Sequence, residues 1–314
     1  MECFLLGSGG MMPMPYRFLT ALAVRHQGQL YLFDAGEGTQ IALKKAKTGI
    51  KSLRVLSVSH FHGDHCMGIP GLLMMRAQVP DPDQLTILGP LGIERFVSQL
   101  HELMGFFINY PIRFIQWDEK APEVAYQDDL VRILWAPLKH TVLCLGYRFE
   151  EHPLRGKFNP SAAQSLGIPQ GPLWGKLQRG EQVTMKNGTI ISPDQVQGKP
   201  RPGRHICYAV DTRPSKSLYR LCKDTDVAFL DGMFLPEHRA EAEAKGHMTV
   251  DDAARVASRA GARRAVLVHI SPRYRDDEID ALAAAAAVRF EGAEIGRDLG
   301  VYEVKLRDDK TSQV

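Results

Sequence analysis

SHFHGDHCMG, residues 59–68, places three histidines and an aspartate within the six positions 60–65. It follows RVLSVS (54–59), a short β-branched and apolar run of about the length of a buried strand. Imidazoles this close repel one another once protonated, and one carboxylate among them cannot balance them. The grouping makes sense if a cation replaces the protons. Neutral imidazole nitrogen and carboxylate oxygen are the donors that a borderline divalent metal such as Zn²⁺ accepts.

The same pattern, an apolar run that ends on a polar side chain, recurs along the chain. Asp34 ends LYLFD (30–34), His140 follows VRILWA (131–136), Asp211 ends HICYAVD (205–211) and His269 nearly ends RAVLVHI (264–270). LTILG (85–89) and DVAFLD (226–231) are further strand-like runs. Strands that deliver polar groups at one edge of a sheet build many enzyme sites. His60, His62, Asp64, His65, His140, Asp211 and His269 make seven candidate donors. That is too many for one tetrahedral ion and suits two ions sharing a carboxylate.

Helical patterns fall between the strands, around 38–48, 68–77, 91–104, 250–260 and 276–290, the last containing the strongly helix-favouring ALAAAAAVRF. Thr249 is expected to cap the 250–260 helix, with Asp252 close to the capping-box acid. The body is therefore mixed α/β. Between 152 and 204 the pattern breaks into HPLRG, GIPQGPLWG, NG and GKPRPG, which predicts an extended insertion with tight turns. Its Phe158, Leu166, Leu173, Trp174 and Leu177 make it too apolar for simple disorder. This insert holds eight Lys or Arg against Glu181 and Asp194, a charge of +6 within a chain of net charge +3, so the remainder carries −3. A basic insert on a mildly acidic body points to a local anionic partner. RDDKTSQV (307–314) reads as a frayed polar tail.

With 314 residues, 44% hydrophobic and 24% charged, the chain is an ordinary globular protein with room for a sizeable core. No run approaches the roughly 20 apolar residues that span a bilayer, and the N-terminus lacks the basic segment of a secretory signal. Cys3, Cys66, Cys144, Cys207 and Cys222 are scattered, odd in number and without a CxxC, as expected of reduced thiols in a cytoplasmic protein.

HFHGDH resembles the signature of the metallo-β-lactamase superfamily, which implies an αββα sandwich with a binuclear metal site. FDAGEGTQ (33–40), YAVDTRP (208–214), GHMT (246–249), HISPRY (269–274) and the surroundings of His140 resemble its ribonuclease Z branch, endonucleases that remove the 3′ trailer from precursor tRNA. GIPQGPLWGKLQRGE (167–181) is similar to the Gly-Pro arm of the short form. The resemblance covers about residues 3–305. It implies a catalytic domain of 1–151 and 205–306, interrupted by a tRNA-binding arm at 152–204. It also implies two Zn²⁺ per subunit, with Mn²⁺ or another divalent metal as a substitute. The expected partners are precursor tRNA and a second copy in a homodimer, with no membrane.

Carried over by position, His60, His62 and His140 would hold one ion, Asp64, His65 and His269 the other, with Asp211 bridging. Asp34 would orient ligands from behind. Asp64 would aim the attacking water, and His247, oriented by Asp231, would protonate the leaving 3′ oxygen. Arg273 is expected to grip a phosphate bidentately, and Arg155, Lys157, Lys176 and Arg179 to meet tRNA phosphates.

Two departures stand out. Leu230-Asp231-Gly232-Met233 replaces the family's His-Glu-Ala-Thr, so Asp231 must act with one methylene less than a glutamate. MPMPYRF (12–18) replaces the Pro-x-Lys-x-Arg-Asn loop, and Arg17 is the residue expected to supply the lost basic contact. Alternative readings are a hydrolase of the same fold acting on a small phosphodiester or other ester, and a non-catalytic RNA-binding protein stabilised by metal.

Overall fold

The computed structural model describes residues 1–307; of the tail at 307–314, all but Arg307 lies outside the described residues. The described chain forms two compact units, Met1–Glu150 with His205–Lys305, and Glu151–Arg204 with the residues from Leu306.

The larger unit contains two seven-stranded sheets. Across the first, the strands run Gly300–Glu303, Glu2–Gly7, Ala21–His26, Gln29–Phe33, Leu53–Ser57, Leu85–Pro90 and Ile112–Trp117. Across the second they run Ala293–Ile295, Ala265–Val268, Val227–Asp231, His205–Ala209, Cys144–Glu151, Val131–Leu138 and Val124–Gln127.

Period-2 alternation sets the layers. In Glu2–Gly7, Cys3 and Leu5 point into the core between the sheets, with Phe33, Trp135, Tyr147, Phe149 and Phe229. Phe4 and Leu6 of the same strand face the other way, into a core shared with helices Thr39–Ala46, Ile69–Arg76 and Ile93–Met104. The second sheet does the same toward helices Lys216–Cys222, Val250–Arg259 and Ile279–Ala287. The result is a four-layer αββα sandwich.

Gln29–Phe33, Leu53–Ser57, Leu85–Pro90 and Ile112–Trp117 are mutually parallel, as are His205–Ala209, Val227–Asp231, Ala265–Val268 and Ala293–Ile295. Parallel strands buried on both faces bring their carboxyl ends to one edge, the usual place for a site in open sheets.

Two local expectations change. Thr249 stands at the N-cap of Val250–Arg259, but no side-chain cap bond forms. Its hydroxyl instead donates to Asp251 (2.6 Å) and Asp252 (2.9 Å), carboxylates that also bind Arg239. The hydroxyl is oriented by donation to these charged acceptors, and its oxygen accepts from no first-turn amide. The insert also holds less extended chain than its Gly and Pro content predicts. Pro160–Ser165 and Pro172–Gln178 are helices, each with proline in the first turn, where a missing N–H costs nothing. A short hairpin pairs Val183–Thr184 with Ile190–Ile191. Ala163, Ile168, Leu177, Val183, Ile191 and Val196 form a small core of the insert's own.

Candidate metal centre

Asp34, Asp211 and His269 each follow a strand in the left-handed backbone region, at φ 58°, 52° and 61°. Non-glycine residues rarely adopt it, and here three cluster at the carboxyl edge of the sheets. The turn rotates each side chain inward. His60–His65 follow Leu53–Ser57, and His140 follows Val131–Leu138.

All seven sequence-predicted donors meet there. His60, His62, His140 and Asp211 offer donor atoms within 4.8 Å of one another, and so do Asp64, His65 and His269. Asp211 faces both groups. Its Oδ1 lies 3.2 Å from His65 Nε2 and 3.1 Å from His269 Nε2, and its Oδ2 lies 3.6 Å from both His60 Nε2 and His140 Nε2. Asp64 Oδ2 is 3.4 Å from His65 Nε2 and 3.2 Å from His269 Nε2. Donors around a four-coordinate ion at about 2.0–2.2 Å stand roughly 3.3–3.6 Å apart, so these spacings are close to those of shared coordination.

The outer ring nitrogens are mostly engaged, which fixes where the inner ones point. His65 Nδ1 bonds Asp34 Oδ2 at 2.8 Å, His140 Nδ1 bonds the Gly246 carbonyl at 3.1 Å, and His60 Nδ1 meets Ser59 Oγ at 3.0 Å. Asp34 is itself pinned by Ser59 N–H (2.7 Å), Ser59 Oγ–H (2.8 Å) and Tyr208 O–H (2.8 Å). With Nδ1–H given to Asp34, His65 Nε2 is a bare lone pair facing carboxylate oxygens. His60 Nε2, His140 Nε2 and Asp211 Oδ1 are buried without a hydrogen-bond partner among the described residues. Acceptors aimed at acceptors require a cation between them, and the donor set fits a divalent metal.

Without a cation between the donors, protons take its place. Burial would raise Asp64 and Asp211, yet the neighbouring His65 and His269 hold both carboxyls well below the usual range. Burial would lower His65, but Asp211 and Asp34 carry it well above the usual imidazole range. His60 is pushed down to about 2, by burial first and then by the charge of His65.

Beside the donors, His247 Nδ1 bonds Asp231 Oδ2 at 2.8 Å while its Nε2 lies 4.0 Å from Asp211 Oδ2. The Asp231 carboxylate also accepts from Thr212 N–H and Met233 N–H, both at 3.1 Å. Burial lowers His247, but the Asp231 charge and hydrogen bond dominate and raise it to about 8. Ending its strand beside His247, Asp231 spans the gap despite its shorter side chain.

Two arginines stand elsewhere than expected. Arg273 donates from Nη2 to both carboxylate oxygens of Glu241, at 2.6 and 2.7 Å, so an intramolecular carboxylate already pairs with it. Arg17 is buried, donating to the Tyr274 carbonyl (3.3 Å) and Asp276 (3.2 Å). It braces its own loop rather than offering an exposed cation. Arg155, Lys157, Lys176 and Arg179 are exposed on the insert.

Sequence reasoning missed Ser59, Tyr208, the Met11 N–H that donates to Asp64 Oδ2 at 2.7 Å, and Gly10. A Cβ on Gly10 would lie 2.5 Å from His269 Cε1, so only glycine lets this loop pass the ring. The small-residue run GSGG (7–10) after the first strand was the available signal.

A Treponema denticola ribonuclease Z is 40% identical to this chain over 310 residues, covering 98% of the chain and 99% of the relative. The chain belongs to the ribonuclease Z family. A ribonuclease Z from Methanosarcina acetivorans is 39% identical over 305 residues, covering 97% of this chain and 98% of the relative. The family model for the beta-lactamase superfamily domain matches residues 174–270, and that for the anti-Pycsar protein Apyc1 matches residues 1–100. The crystal structure of the short form of human tRNase Z superposes with a TM-score of 0.70 at 22% identity, covering 98% of this chain and all of that one. This ribonuclease Z family member is thus a hydrolase of the metallo-β-lactamase fold with a divalent-metal donor set.

Proposed function

We propose that the protein is a zinc-dependent endoribonuclease that cuts the 3′ trailer from precursor tRNA, leaving a 3′-hydroxyl on the tRNA and a 5′-phosphate on the trailer. The observation that carries this reading is Asp211, whose two oxygens face different histidine groups beside the His247–Asp231 pair. The full-length likeness to ribonucleases Z supplies the substrate class.

His60, His62, His140 and Asp211 would hold one Zn²⁺, and Asp64, His65, His269 and Asp211 the other. When bound, such a pair activates water at neutral pH and neutralises charge on the phosphoryl oxygens. The remaining chemistry belongs to side chains. Asp64, its Oδ2 steadied by Met11 N–H, accepts a hydrogen bond from the attacking water and aims it. His247, its Nδ1 held by Asp231, presents Nε2 to the departing 3′ oxygen and donates the proton there. Arg155, Lys157, Lys176 and Arg179 meet tRNA phosphates. The working unit is a homodimer in which one subunit's insert presents tRNA to the other subunit's site. Five free, buried cysteines fit a reducing cytoplasm. Among the described residues no helix is long and apolar enough to cross a membrane.

Chelator-stripped protein should leave a trailer-bearing precursor intact, and re-added Zn²⁺ should restore cleavage. Cleavage that survives stripping, with the metal shown to be gone, would refute the zinc assignment.

A further inference from the structure

Phe61 lies between two metal donors in the chain, yet its ring is 39% exposed. Its Cα is about 3.8 Å from those of His60 and His62, as for any trans-linked neighbours. The ring turns away from the donors and packs on Phe96, with centroids 5.6 Å apart and planes 44° apart. Both rings line an open cleft of about 670 Å³, with Leu91 (66% exposed), Arg95, Gln99 and Gln116, and with Glu94 as its one acidic group. The cleft falls in the size range of small-ligand sites, with aromatic and aliphatic side chains mixed with charged and amide ones. Gln116 is engaged, accepting from Gly92 N–H at 2.8 Å. The side chains of Arg95 and Gln99 make no hydrogen bond or ion pair among the described residues and are exposed.

Single exposed apolar residues are commonplace, but Phe61 and Leu91 share one cleft with the half-buried Phe96, and Phe61 is joined to two metal donors. Proteins that hold unpaired RNA stack its bases on aromatic rings, with cationic and amide side chains at the base and phosphate edges. We propose that this cleft is a stacking subsite for the first nucleobase of the trailer. The proposal rests on the tRNA-trailer reading above.

The side of the cut follows from His247. Its ring packs on His140, His269 and Phe234, at centroid distances of 5.1, 5.2 and 6.3 Å. The leaving 3′ oxygen, and with it the tRNA body, belongs there. The trailer's first nucleotide keeps the phosphate and stays beside the 60–65 loop, within reach of Phe61. An aromatic face takes any base, so the subsite favours an ordered trailer nucleotide without selecting its identity.

The test pairs Phe61→Ala with a precursor whose first trailer nucleotide is abasic, reading kcat/KM and bound zinc. Either change alone should lower kcat/KM about tenfold, within the range for loss of one stacked base. The two together should lower it little further, because both remove one contact. Phe61→Tyr should restore the wild-type value. If Phe61→Ala loses zinc, the cycle is read with Phe61→Leu, which keeps apolar bulk without an aromatic face and should show the same loss. Multiplying effects, full activity without the ring, or coupling to an abasic discriminator position instead would each overturn the subsite. A precursor left uncut by the wild-type protein is a distinct result that overturns the tRNA reading and the subsite with it.

Discussion

His247 Nδ1 sits 2.8 Å from Asp231 Oδ2, and that carboxylate is locked by the Thr212 and Met233 amides. A carboxylate held from three directions fixes the imidazole's tautomer and the direction of Nε2. The pair shares a donor group within 4.8 Å with Asp211 and His269, but its own hydrogen bond already occupies His247 Nδ1. His247→Ala should therefore lower turnover by around a hundredfold or more with bound zinc unchanged. Turnover and elemental analysis of the same preparation check this; lost zinc would make His247 a ligand.

Asp34 tests the support behind the ligands. Asp34→Asn keeps the size of the side chain but removes the charge that accepts His65 Nδ1–H, Ser59 and Tyr208. Metal affinity should fall about 10- to 100-fold, as expected for an outer partner of a ligating histidine. Competition with a chelator of known affinity measures it. An unchanged affinity would remove Asp34 from the site.

Gly10 tests the close approach to His269. In Gly10→Ala, the new Cβ meets the ring of His269 at 2.5–2.7 Å, and one of the two must move. Bound metal should drop by about one ion per chain, with turnover falling at least tenfold, while cooperative thermal unfolding is retained. Full metal content would show that the loop relaxes without cost.

The insert is expected to bind but not to cut. Glu150 and His205 are register partners in an antiparallel pair, so a short turn can join them in place of 153–203. The shortened protein should lose tRNA binding and keep hydrolysis of a small chromogenic phosphodiester. In the intact protein, replacing Arg155, Lys157, Lys176 and Arg179 with Ala should reduce the slope of log affinity against log salt by about 3, at roughly 0.7–0.9 per phosphate contact. Unchanged binding after either alteration would refute the role given to the insert.

Much of this was legible in the sequence because strands and donors are local signals. Apolar runs ending in Asp or His marked both the sheets and the edge where the donors meet. What stayed hidden depends on pairing across the fold. Nothing local links Arg273 to Glu241, 32 positions away, or Arg17 to Asp276, so both arginines read as free cations. Thr249 follows a helix-capping pattern, but its hydroxyl is turned to donate to Asp251 and Asp252 and accepts from no helix amide. Ser59 and Tyr208 looked like ordinary strand residues until their hydroxyls met on Asp34. In the insert, glycine and proline signalled breaks, although Pro160 and Pro172 begin helices.

The most direct measurement is to incubate zinc-loaded protein with a precursor tRNA carrying a 3′ trailer and map both product ends to single nucleotides. The account predicts one cut at the tRNA–trailer junction, after the discriminator base or an encoded CCA, with a 3′-hydroxyl on the tRNA and a 5′-phosphate on the trailer. An intact precursor, alongside hydrolysis of a small phosphodiester by the same preparation, would contradict it.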